Sequence, residues 1–179
     1  NQDANGIGDF KHPVPSGFLA LATANLPTPT IVDGSEYFNT VLYTGTGAST
    51  LSITGVGFQP DWVWAKKRSA ADNHAVADVV RGVTKSLFPN TTGAESTDVN
   101  GLQSFDSDGF TIGSGSGSGV WGGNSGATYA AWNWKAGGAA VSNTAGSITS
   151  QVSANVDAGF SISSFTSDGA ASVSTIGHG

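Results

Sequence analysis

Two short stretches constrain this chain more than any other: DWVWAKK, from Asp61, and TYAAWNWK, from Thr128. Each spaces its tryptophans two apart, Trp62 with Trp64 and Trp132 with Trp134. Residues two apart share a face of an extended strand but not of a helix. The same period recurs in Thr50–Val56, where Leu51 and Ile53 alternate with Ser52 and Thr54. Glu36–Tyr43 and Ala75–Val80 read as further strands. Ser104–Phe105 and Phe110–Gly113 flank DSDG, a two-residue hairpin signal that places Asp108-Gly109 at positive φ in a type I′ turn. Gly reaches 26 and charged residues only 11%. That balance suits strands joined by tight turns and starves helices of the Glu, Lys and Arg they carry outward. The chain is therefore expected to be all-β, an antiparallel sandwich or barrel.

The indoles allow two assignments. Trp62, Trp64, Trp132 and Trp134 are assigned to the space between the sheets, where each buries up to ~250 Å². The alternative is a sugar-stacking platform on an outer face. Trp121 sits in SGSGSGVWGGNS, a Gly-rich loop with nothing nearby to bury it. It is expected to be exposed, as an anchor for a partner or a glycan.

Three segments are expected along the chain. Residues 1–34 hold Pro13, Pro15, Pro27 and Pro29, four of the six prolines. They read as an extended arm, or the end of a preceding β-domain, with strands around Gly8–Lys11 and Phe18–Thr23. Residues 35–140 form the sandwich. Residues 141–179 begin a second β-repeat, because FSISSFTSDGAASVSTIGHG from Phe160 aligns without a gap to FNTVLYTGTGASTLSITGVG from Phe38, 122 residues earlier. With Asn1 first and no Met, the chain is expected to be processed from, or a segment of, something longer.

Several chemistries find no support. A net charge of −6 opposes sequence-independent nucleic-acid binding, which needs clustered Lys and Arg. No apolar run approaches the ~18 residues of a membrane-spanning helix. With no Cys there is no disulfide, thiolate metal site or Cys nucleophile. His12, His74 and His178 have no second ligand at metal spacing. Glycoside hydrolysis needs two carboxylates facing across a cleft. The only glutamates, Glu36 and Glu95, are far apart in sequence, and Asp106 and Asp108 lie in the DSDG turn. There is no G-x-S-x-G elbow, and GSGSGSG ends without the G-K-[ST] of a phosphate loop. Lys66, Lys67 and Arg68 read as a solvated strand end or a contact with an acidic neighbour. Neither catalysis nor a cofactor is expected.

YTGTGASTLSITGVGFQPDWVWAKKRSAADNH, then VRG, SFDSDGFTIGS and YAAWNWKAG, in that order, resemble a repeated domain of structural proteins of marine tailed phages. GIGDFKHPVPSGFLALATANLPTPTI resembles the tail of a SPRY-type sandwich that precedes it. The resemblance implies a concanavalin A-like jelly roll in a virion: tail fibre, appendage or capsid decoration. Its implied partners are other virion subunits, as a homo-oligomer, with host surface glycans as the alternative. It carries no catalytic residues.

Overall fold

The computed structural model describes residues 1–113, 118–169 and 173–179. They fall into two compact units, residues 1–32 and 33–179.

The first unit has no strand among its described residues. Its prolines remove the N–H donors a ladder would need. It is nonetheless folded, around Asp3, so neither the strands expected at Gly8–Lys11 and Phe18–Thr23 nor a simple extended arm is found. The Asp3 carboxylate accepts from the backbone N–H of Asn5 at 2.9 Å, Ile7 at 2.9 Å and Ala20 at 2.8 Å, and from Asn25 Nδ2 at 2.6 Å. Desolvation opposes its charge, but these bonds outweigh it and hold the pKa at about 2.

The second unit is an antiparallel β-sandwich. Its larger sheet joins β1 (Phe38–Thr44), β9 (Thr128–Trp134), β3 (Trp62–Lys67) and β4 (His74–Asp78), in that spatial order. The facing sheet joins β2 (Thr50–Thr54), β8 (Gly109–Gly113) and β7 (Leu102–Asp106). Two short strands, β5 (Lys85–Ser86) and β6 (Ser96–Thr97), pair beside them. β10 (Val141–Asn143), β11 (Ser150–Asn155) and β12 (Phe160–Phe165) form a third antiparallel sheet. This sheet lies within the compact unit 33–179.

The core decides which face of each strand points inward. Small residues of the larger sheet, Ala131, Ala65 and Ala75, lie side by side across β9, β3 and β4. They leave room for Phe110, Ile112 and Leu102 from the facing sheet and for Trp121, all fully buried in one cluster. Facing large against small keeps the interior at crystal-like density. The outward residues of β2, Thr50, Ser52 and Thr54, are exposed, and Ser52 hydrogen-bonds Thr111 at 2.9 Å.

The DSDG turn departs from the expected type I′ form. Asp106 pairs with Gly109, so Ser107 and Asp108 form the loop, and neither has positive φ. Asp108 instead accepts from the backbone of Gly55 at 3.0 Å and Gly57 at 2.6 Å, pinning the loop after β2. Those bonds hold its carboxyl below the usual range. Gly109 is required: its φ is +151°, and a Cβ would strike the Ile53 carbonyl oxygen.

Candidate functional site: an aromatic outer face

The tryptophans are distributed in the opposite way to expectation. Trp62, Trp64, Trp132 and Trp134 lie half-buried on the outer face of the larger sheet, while the residues alternating with them, Val63, Ala65, Ala131 and Asn133, are fully buried. The four indoles are thus not trapped between the sheets. They occupy the outer face that was the alternative assignment.

Strand register arranges that face in ranks. Phe38, Trp134, Trp62 and Asp78 form one rank across β1, β9, β3 and β4. Thr40, Trp132, Trp64 and Val76 form the next. The rings touch along and between ranks: Trp62 and Trp134 have centroids 4.6 Å apart, Phe38 and Trp134 4.7 Å, and Trp64 and Trp132 5.8 Å. Phe160, at the head of β12, lies over the first rank, 5.8 Å from Trp62 and 6.1 Å from Trp134. The second rank is braced differently. Trp64 Nε1 donates to His74 Nδ1 at 3.2 Å, and the His74 backbone N–H donates to Asn90. His74 is the first residue of β4, with one ring nitrogen already engaged.

Trp121 is the reverse case. It is 0% exposed and sits in the core, so it cannot serve as an exposed anchor. Its Nε1 donates to Ser86 Oγ at 3.2 Å, and its carbonyl accepts from the Tyr43 hydroxyl at 2.7 Å. The 3-10 turn Ser118–Val120 directly precedes it. The part of the Gly-rich loop at 114–117 lies outside the described residues.

Two grooves flank Trp62. One, of about 400 Å³, runs beside β4 between Trp62, Val76 and the segment that carries Phe88 and Thr91, and closes at Asp78 and Arg81. The other, of about 290 Å³, lies between Trp62 and Phe160–Ser163. Arg81 is held firmly in the first. Its Nε donates to Asp78 Oδ2 at 2.7 Å, Nη1 to Glu95 at 3.2 Å and Nη2 to the Val76 carbonyl at 3.2 Å. Asp78 Oδ1 in turn caps the backbone N–H groups of Val80 and Arg81.

The remaining candidates are in structural use. Asp106 accepts from Thr111 Oγ1 at 2.7 Å, and Lys66 and Lys67 both reach Asp72. His12 and His178 are exposed, and Glu36 lies in a 3-10 turn. Among the described residues no three His, Cys, Asp or Glu side chains cluster as a metal site would require. Nor, among the described residues, is any helix long and apolar enough to cross a membrane. Asp61 was not singled out in the sequence, yet it closes the sandwich: its Oδ2 accepts from the backbone of Ala136 at 2.8 Å and Gly138 at 3.1 Å. Burial raises its pKa, partly offset by those two bonds.

The model of a domain of unknown function, DUF7483, matches residues 33–179. The chain belongs to that family. The matched span coincides with the second compact unit, so the DUF7483 domain includes both faces of the sandwich and the third sheet. No curated protein and no solved structure matches the chain.

Proposed function

We propose that this chain is a non-enzymatic structural piece of a tailed-phage particle, built from concanavalin A-like sandwiches in series and packed against other virion subunits. The observation that supports a series of sandwiches is that the sequence repeat places a strand where the structure has one, Phe160–Phe165 at the position of Phe38–Tyr43. Phe38 opens β1 and Phe160 opens β12. Gly47 and Gly169 have φ of +71° and +69°, and Gly57 and Gly179 have +89° and +105°. Both phenylalanines rest against Trp134.

β12 thus lies where the repeat places a first sandwich strand, with Phe160 and Phe165 where β1 has Phe38 and Tyr43, yet it is the edge of a three-stranded sheet. An edge strand leaves one row of N–H and C=O groups open to another strand. In the sandwich, β1 receives β9. The equivalent for β12 is a β9-like strand of a following sandwich, with Phe160 seated on the outer tryptophans as the joint between units.

The test is a fusion in which residues 1–179 are followed directly by a second copy of residues 58–140. Residues 160–179 then stand in for 38–57 of the added copy. The fusion is expected to fold throughout, with the added copy as resistant to protease as the original. An added segment trimmed away to leave 1–179 overturns the proposal.

A further inference from the structure

We propose that the groove beside β4, between Trp62 and Arg81, binds a pyranose ring of a neutral saccharide. This site does not depend on whether sandwiches follow one another in series. The groove's volume of about 400 Å³ lies at the low end of the range of roughly 300–1,000 Å³ found for small-molecule sites. It offers the two surfaces a sugar ring needs. One is aromatic: Trp62 and Phe88 both line the groove, and the indole can cover the C–H face of a pyranose. The other is polar and fixed before any ligand arrives. Arg81 commits three N–H groups to Asp78, Glu95 and the Val76 carbonyl. A guanidinium has five N–H donors, so two remain for ligand hydroxyls. Asp78 and Thr91 share the lining, with Asp78 holding Arg81 and Thr91 Oγ1 donating to the Phe88 carbonyl. The uncommitted donor pair suits hydroxyl oxygens, which accept.

Charge selects among saccharides. Arg81 brings one positive charge against the two carboxylates of Asp78 and Glu95, at 2.7 and 3.2 Å. Within the lining Asp78 balances Arg81, and Glu95, which pairs with Arg81 from outside the lining, adds a second carboxylate, in a chain of net charge −6. A uronic or sialic acid would meet that repulsion, whereas a neutral sugar meets none. Rigidity adds to affinity because the Arg81 side chain loses little freedom on binding.

The experiment is a titration of isotope-labelled protein with cellobiose, lactose, maltose and N,N′-diacetylchitobiose, and with digalacturonate as the anionic counterpart. Concentrations reach about 20 mM, enough to populate a site of millimolar Kd. At least one neutral disaccharide is expected to move the Trp62 indole N–H resonance saturably, and digalacturonate is expected to bind more weakly. Trp62→Ala should weaken binding about tenfold or more, as loss of an aromatic anchor requires. Glu95→Gln removes a carboxylate that pairs with Arg81, and should improve binding of digalacturonate relative to the neutral disaccharides. If Trp62→Ala does not fold, the wild-type resonances decide. Shifts confined to Trp64 and Trp132, tighter binding of digalacturonate, or no shift of Trp62 with any of the four neutral sugars each overturn the proposal.

Discussion

Trp121→Ala separates the two populations of tryptophan in this fold. Trp121 is 0% exposed, and its neighbours in the cluster include Phe110, Ile112 and Leu102. Truncating a buried Trp costs about 3–5 kcal/mol in lost transfer energy and cavity. Ser86, 1% exposed, would also lose the indole N–H it accepts, for about 1 kcal/mol more. The total of about 4–6 kcal/mol compares with a whole-domain stability of about 5–15 kcal/mol. Trp121→Ala is therefore expected to lie close to unfolding. Trp121→Phe keeps most of the bulk and loses the hydrogen bond, and should cost about 1–3 kcal/mol. Trp132→Ala, on the half-buried outer face, should cost less than Trp121→Ala by about 2 kcal/mol or more. Urea unfolding followed by circular dichroism measures all three. A Trp121→Ala domain within about 1 kcal/mol of wild type, or one more stable than Trp132→Ala, refutes the placement of Trp121 in the core.

Other positions test other parts of the fold. Asp61→Ala leaves the N–H groups of Ala136 and Gly138 without their acceptor and should cost about 2–4 kcal/mol in denaturant unfolding, whereas Asp61→Asn keeps an acceptor and should cost under about 1 kcal/mol. Because burial raises the Asp61 pKa when folded, its protonated form is favoured in the native state. Its contribution is therefore most favourable below the ordinary value of 3.8 and declines as pH rises through the folded value. Asp61→Asn should flatten that decline in a pH series of melting temperatures. Asp3 has the opposite sign: with a folded pKa of about 2, its support for the first unit is complete above 3.8 and is lost as pH falls through about 2. Amide exchange at Ile7 and Ala20 should accelerate over that window, and Asp3→Asn should abolish the transition. Gly109→Ala combines φ of +151° with a Cβ driven into the Ile53 carbonyl, and should destabilise by more than the ~1 kcal/mol that an unstrained Gly→Ala change adds, read as a fall in the midpoint of thermal unfolding.

The strands were legible because a period of two is a local property. Thr128–Lys135 and Asp61–Lys66 were expected, and the strands run from Thr128 to Trp134 and from Trp62 to Lys67. Which face turns inward was not legible from the same pattern, since period two groups residues without choosing between the groups. Size misled: four indoles suggested core, but the inner positions between them are Val63, Ala65 and Ala131. The usable signal was that smallness, repeated at Ala75 and Ala77 on the neighbouring strand, which implies large residues arriving from the opposite sheet. Trp121 could not be placed locally. Its hydrogen-bond partners, Tyr43 and Ser86, are 78 and 35 residues away. The groove escaped notice for the same reason, because Trp62 and Arg81 meet only through the pairing of β3 with β4 and the turn after it. DSDG was legible as a hairpin but not in its turn type, since Asp108 is held by Gly55 and Gly57 of another loop.

The two outer faces of the sandwich differ in kind, and the difference bears on what the domain is for. Exposed Thr50, Ser52 and Thr54 make the outward side of β2 a surface that water already satisfies. The outward side of the larger sheet carries Phe38 and four tryptophans in contact. The core does not need them there, because the alanines beneath are filled from the other sheet. An apolar surface left half in water contributes only part of its transfer energy to the fold. The remainder is released when something covers it, and contiguous patches of this kind mark interaction sites. Phe160 already covers Trp62 and Trp134 of the first rank, and Trp62 also borders the groove beside β4. A single rank of rings can thus hold the third sheet on one side and present a ligand site on the other, without any change in the core that supports both.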